Sequence, residues 1–217
     1  MNEEYPARYS DTNGAEKTVI RNDGKTLRMR LRGVEFSGTM FDDFEPEAGT
    51  DAAALTSFHI SQFNALCGCF IEYDMPMPVV ANGAEKKALL HTKIVLGVPT
   101  ARGGIDREEV RSTLHYEKNE YSGSGRSGWF EGELLEVQNA LPAGVYMKAC
   151  INCAFSDYSP YGHSAFGDMN CFRDNKEVYL QVKSKADIFR VRITESVQET
   201  YLCPEFQRRE PGAGYRG

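Results

Sequence analysis

From Leu66 to Val80 the odd positions Cys67, Cys69, Ile71, Tyr73, Met75, Met77 and Val79 form an unbroken apolar series. Successive side chains of an extended chain point to opposite faces, so this series loads one face of a strand with seven groups that must leave water. A long one-sided strand demands partners of the same kind, which makes antiparallel sheet the organising element. Cys67 and Cys69 share that face with five large apolar residues and are predicted to be core thiols. Pro76 and Pro78 lack amide donors and place the end of the strand at a sheet edge.

The same period recurs on both sides. Thr18 to Ile20, the Asn22-Asp23-Gly24 turn and a second strand read as a hairpin. In that second strand Leu27, Met29 and Leu31 alternate with Arg28, Arg30 and Arg32, giving an apolar face and a solvated arginine row. The phase flips after Gly33 to Val34 and Phe36, as a bulge would produce. Asn82-Gly83 turns the chain into a strand from about Lys87 to Val98 that buries Ala88, Leu90, Ile94, Leu96 and Val98 and turns His91 outward. A further strand is expected from Val110 to Tyr121. Phe130, Leu134, Val137 and Leu141 then recur at helical spacing, predicting one amphipathic helix over about 129–141 that stops at Pro142 and Gly144. Val145, Met147 and Ala149 follow as a short strand. Asp157 to Gly167 is turn-rich loop, 175–183 is helix or strand, Phe189, Val191 and Ile193 mark another strand, and 204–217 is coil.

The predicted fold is α+β: mainly antiparallel sheet, one helix and a cysteine-rich, loop-rich C-terminal subregion. One domain is expected over 1–217, with a loose arm at 1–16, a β-rich core plus helix at 17–149 and a zinc-stabilised subregion at 150–217. A chain of 217 residues buries roughly 70% of its unfolded surface as a single domain. Its 25 Lys and Arg against 31 Asp and Glu leave a formal charge of -6, which offers no general cationic field to nucleic acid or anionic lipid. The start Met1-Asn2-Glu3-Glu4-Tyr5-Pro6 is not of the basic-then-apolar signal type and no membrane-length apolar run occurs, so a cytoplasmic protein is expected. Thiols stay reduced there, which favours metal ligands over a disulfide framework.

Four cysteines carry the chemistry: Cys150 and Cys153 in a CxxC, then Cys171 and Cys203. A CxxC brings two thiolates to one side of a turn, half of a tetrahedral zinc shell, and the interval to Cys171 falls within the roughly 15–20 residues usual between the halves of such a site. Cys150, Cys153, Cys171 and Cys203 are therefore the predicted ligands of a structural zinc, with His163 competing for the fourth place. A second arrangement is His115-Tyr116-Glu117 with Cys150 and Cys153, the His-x-Glu and CxxC used by zinc-dependent deaminases, in which the glutamate moves protons at a zinc-bound water. Here Ala149 stands where that family has proline. Gly123-Ser124-Gly125-Arg126-Ser127-Gly128 is formally a dinucleotide fingerprint, but no buried parallel strand precedes it and it reads as a loop. Asp42, Asp43, Glu45, Glu47 and Asp51 lack the spacing of a calcium loop and read as solvated.

Cys150-Ile-Asn-Cys-Ala-Phe-Ser-Asp-Tyr-Ser-Pro-Tyr-Gly162, Met169-Asn170-Cys171-Phe172-Arg173 and Thr200-Tyr-Leu-Cys-Pro-Glu-Phe-Gln-Arg-Arg209, with 212–217 beyond, resemble an uncharacterised bacterial family of about this length. The similarity reaches upstream through Gly128-Trp129-Phe130 to Gly144 and so covers roughly the C-terminal half. It implies no activity, but it ties the four cysteines into one pattern. The expected function is a non-catalytic binding or interaction protein stabilised by zinc, with a protein partner and neither nucleic acid nor membrane. The alternative is the deaminase-type hydrolase.

Overall fold

The chain opens with a hairpin. In the computed structural model, which describes residues 2–212 and 214–216, β1 (Glu3–Asp11) pairs along its whole length with β2 (Gly14–Asn22). The loose arm expected over 1–16 is thus corrected. Tyr5 and Tyr9 alternate inward and are buried, while Glu4, Pro6 and Arg8 face water. The polar composition misleads because the tyrosine hydroxyls carry their own partners: Tyr9 donates to Asp11 at 2.9 Å and Tyr5 accepts from Asn22 Nδ2 at 3.0 Å.

β3 (Leu27–Leu31) and β4 (Val34–Gly38) form the next hairpin, with Leu31 directly opposite Val34. The phase flip after Gly33 is a two-residue turn, not the expected bulge. Arg32 and Gly33 both have positive φ, 46° and 86°, the primed-turn geometry that matches strand twist and for which a glycine is the unstrained second residue. Arg28 and Arg30 are solvated as expected. Arg32 is not: its guanidinium reaches Asp11 at 2.6 Å and lies over the Tyr9 and Phe58 rings. β5 (Glu45–Pro46) pairs with β4. The short α1 (Ala52–Leu55), capped by Asp51, leads into β6 (His59–Ile60), which pairs with β7 (Leu66–Cys67).

β7, β8 (Cys69–Pro76) and β9 (Val79–Ala81) carry the alternating run, and every odd residue from Cys67 to Val79 is buried. β8 is central, not an edge. β1 covers only Cys69 to Tyr73, however, so Pro76 sits where a single neighbour remains and its missing donor is tolerated. After the Asn82-Gly83 turn, β10 (Ala84–Lys86) pairs with β9, and β11 (Leu89–Leu96) pairs with β8. His91 faces outward, 2.8 Å from Asp74, and Val98 lies beyond the strand and is exposed. The single strand expected over 110–121 is a hairpin of β12 (Glu108–Tyr116) and β13 (Asn119–Ser122); it turns at Glu117, whose φ of 56° needs no glycine. These strands make one antiparallel nine-stranded sheet, in the order β13-β12-β11-β8-β1-β2-β3-β4-β5.

α2 (Phe130–Ala140) matches the predicted helix and lays Phe130, Leu134 and Val137 against β12 and β13. β14 (Tyr146–Met147) pairs with β9 and delivers the chain into a 3-10 turn at Cys150–Asn152. β15 (Ser156–Tyr158) and β16 (Asp168–Cys171) follow, so the loop expected over 157–167 begins as strand. The segment left open as helix or strand is helical, as α3 (Lys176–Leu180). The strand expected at Phe189, Val191 and Ile193 is absent. Ser184 instead caps α4 (Lys185–Ile188), Phe189 and Ile193 are exposed, and pairing resumes at β17 (Glu195–Gln198), which completes a three-stranded sheet with β16 and β15. The described part of the tail is coil apart from a single bridge of Arg208 to Cys153. One apolar cluster runs from Tyr5 to Cys203, and a smaller one gathers Phe155, Phe172, Tyr179 and Ile188. No helix among the described residues is long and apolar enough to cross a membrane.

Neighbouring residues of β8 test this packing. Ile71→Ala should lower stability by about 2–5 kcal/mol in urea unfolding, because Ile71 is fully buried. Phe70→Ala, on the outer face under Lys93, should cost at most about 1 kcal/mol.

Candidate functional site

The CxxC is held as a tight turn by Asn152 N–H donating to Ala149 O at 2.9 Å and Cys153 N–H to Cys150 O at 3.0 Å. Two further bonds staple it to the segment that leads into Cys203: Cys150 N–H to Tyr201 O at 3.1 Å and Ile151 N–H to Glu199 O at 2.8 Å. Cys171 ends β16, where it pairs with Ser156 on one side and Glu195 on the other. Cys203 opens a turn closed by Phe206 N–H. All four thiols are free and buried. They lie close enough to act on one another: burial, and then Cys153, Cys171 and Cys203, push the Cys150 thiol well above its ordinary range. The fold thus brings the four cysteines into one neighbourhood. As placed, their side chains do not close on an ion, since among the described residues no group of three or more His, Cys, Asp or Glu is arranged to hold one.

Burial holds Cys171 above its ordinary range as well, and Arg173 offsets part of that rise. Arg173 donates its backbone N–H to the Cys171 sulfur and a guanidinium N–H to that of Cys203, while also pairing with Glu195 at 2.5 Å. Such donors lower the cost of a thiolate at Cys171, the state a metal requires, without outweighing burial.

The competing ligands are placed elsewhere. His163 turns Nδ1 to Ser164 O at 2.8 Å and Nε2 to Glu131 at 3.7 Å, with its ring stacked on Tyr158 at 4.0 Å. Neither nitrogen meets a thiol. His115 points outward from β12 with Nδ1 3.5 Å from Glu120, and with Glu117 it lines a separate cleft beside Pro76, Pro78 and Leu89. The His-Cys-Cys set of a deaminase is therefore not assembled, because the strand period sends His115 to the solvent face. Cys67 and Cys69 are core thiols, and burial drives Cys69 up to about 12. In the 123–128 loop Gly125 N–H donates to Glu133 at 2.6 Å and Ser124 N–H to Glu136 at 2.5 Å, so carboxylates occupy the donors a phosphate would need. The acidic stretch 42–51 is less solvated than expected. Asp43 accepts from Thr39 and Met40, and burial and a bond to Glu108 raise Asp42 above the carboxylate range.

Around the thiols lies a buried polar network with no sequence signal. Tyr158 donates to Glu199 at 2.7 Å, Tyr179 donates to Asp157 at 2.8 Å, Arg209 donates to Ser156 O, and Arg216 donates to Ile151 O at 2.6 Å. Burial pushes Glu199 up to about 8, with Glu131 adding to the rise. Between α2, the CxxC turn and the tail opens a cleft of about 720 Å³ that includes Gln138, Tyr146, Asn152, Arg208, Arg209 and Arg216. The arginines come from coil, where no period marks them.

A model for a family of unknown function (DUF6304) matches residues 3–156. The match bears out the expectation of an uncharacterised family. It includes Cys150 and Cys153 but ends before Cys171 and Cys203, whereas the quoted motifs lie mostly beyond it. No curated protein and no solved structure matches the chain.

Glu199 gives a pH prediction. Its folded value, about 8, exceeds the unfolded one near 4.3, so the folded state holds the proton more tightly and stability falls as pH rises between those values. Glu199→Gln cannot ionise and should flatten the decline in urea midpoint from about pH 5 to 8. An unchanged slope would place the proton elsewhere.

Proposed function

The chain belongs to this family of unknown function, and within it we propose a non-catalytic binding protein whose C-terminal third is ordered by one zinc ion on Cys150, Cys153, Cys171 and Cys203. The carrying observation is proximity: Cys153, Cys171 and Cys203, spread along the chain and all buried, lie near enough to Cys150 to act on its charge, and Arg173 lies beside Cys171 and Cys203. Zinc in small structural sites supplies roughly 10–16 kcal/mol of apparent folding free energy, comparable to the stability of a whole domain. The segment around the cysteines needs such a contribution. Its elements are short, β15, β16, β17, α3 and α4, and its interior holds Asp157, Glu199 and Thr200 as well as a small apolar cluster.

Four sulfurs closed around zinc leave no position for a substrate, so the metal would act as scaffold. The zinc reading carries with it a reducing, cytoplasmic setting, in which these thiols would stay available to the metal, and a protein as partner.

Protein prepared without added metal should carry one zinc per chain by native mass spectrometry. Cys171→Ser and Cys203→Ser should lose it, and Cys67→Ser, in the sheet core, should keep it. A chelator should speed amide exchange across residues 150–216 while β1, β8 and β11 keep their protection. Absence of bound metal, or zinc retained by both ligand variants, overturns the proposal.

A further inference from the structure

The cleft beside the CxxC turn is a second site, distinct from the thiol cluster. Helix α2 contributes Gln138 and Glu131, the turn contributes Asn152, and the tail contributes Arg208, Arg209 and Arg216. Its volume of about 720 Å³ lies within the range of small-molecule sites, roughly 300–1,000 Å³. Arg216 is the informative residue. Its side chain is 18% exposed and Nη2 is used on Ile151 O, but Nη1 is buried with no hydrogen-bond partner among the described residues. Glu131 Oε1 stands 3.7 Å from it, beyond hydrogen-bond reach. Burial and the neighbouring Arg209 both work against the charge on Arg216.

A buried guanidinium donor aimed at no acceptor, beside a second guanidinium, is an arrangement that an incoming oxyanion would complete. Arg208 lies at the mouth, exposed, with its guanidinium 4.4 Å from the centre of the Tyr146 ring. Stacking presents a planar fork without spending its hydrogen-bond donors. Glu131 and Glu210 also line the wall, so three arginines face two glutamates and the lining has a net charge suited to one singly charged group, not a polyphosphate.

We propose that this cleft binds a small molecule through one oxyanion group, a carboxylate or a phosphate, which accepts from Arg216 Nη1 with Arg208 closing over it. The site stands on the tail arginines and α2 and does not rest on the zinc reading, although Asn152 is shared with the CxxC turn.

The test uses the full chain with its metal content measured, titrated separately with sodium benzoate and inorganic phosphate against sodium chloride at equal ionic strength. At least one of the two should raise the melting temperature saturably, and the arm that responds names the group. Arg208→Gln should weaken the apparent affinity by about fivefold or more while leaving the ligand-free melting temperature nearly unchanged, because its guanidinium is exposed. Arg216→Lys, which keeps the charge and loses the fork, should weaken it further, and Arg30→Gln on the distant sheet face should have no effect. No stabilisation beyond chloride from either anion, or full affinity in both Arg208→Gln and Arg216→Lys, overturns the proposal. Anion binding by protein prepared without added metal and found to carry no zinc would sink only the metal reading.

Discussion

The pairing of β1 with β8 is the junction on which the rest of the fold depends. β1 is the one strand that joins β8, β11, β12 and β13 to β2, β3, β4 and β5. Its register with β8, Ala7 opposite Tyr73 and Asp11 opposite Cys69, brings Tyr5 beside Tyr73. From that contact an aromatic column leads off the sheet: Tyr73 stacks on Phe41 at 4.4 Å, Phe41 meets Phe130 of α2, and Phe130 meets Phe166 of the C-terminal region at 4.9 Å. Sheet, helix and cysteine-bearing segment therefore share one chain of contacts that begins in the first strand.

The two ends of that column are stabilised differently. At the sheet end the interior is mainly apolar, with Ile71, Leu90, Ile94 and Leu114 fully buried. At the far end short strands surround carboxylates and tyrosines, and order comes from bonds between segments distant in sequence: Cys150 to Tyr201, Ala154 to Gln207, Arg209 to Asn152. Such bonds contribute little net energy singly and leave costly orphans when broken, so the region holds together as a unit or loosens as one.

Where one face must be buried, the sequence was legible. The odd positions from Cys67 to Val79 predicted a strand and its inward face, and Phe130, Leu134 and Val137 predicted the helix and its packing side. Spacing pointed to the neighbourhood that Cys150, Cys153, Cys171 and Cys203 share, since here the CxxC is a tight turn. What stayed hidden has a common cause. In β1 only Tyr5 and Tyr9 are deeply buried, and Glu3, Glu4, Arg8, Ser10 and Asp11 make the stretch largely polar, so composition outweighed period. The turn at Glu117 uses a positive φ without glycine. Glu199 and Arg216 are buried by tertiary contacts alone, and nothing in the local pattern distinguishes a buried Glu or Arg from a solvated one.

The large sheet is open, and its two margins bear on how this protein could meet another. One margin is β5, two residues long and ending in Pro46; the other is β13, four residues long, carrying Glu120 beside His115. Brevity, a proline and a charge are the features that stop a margin from accepting another chain's backbone. Main-chain extension of the sheet is thus closed off at both sides. Recognition of a partner would have to run through side chains on the faces and in the clefts, where sequence rather than backbone decides what binds.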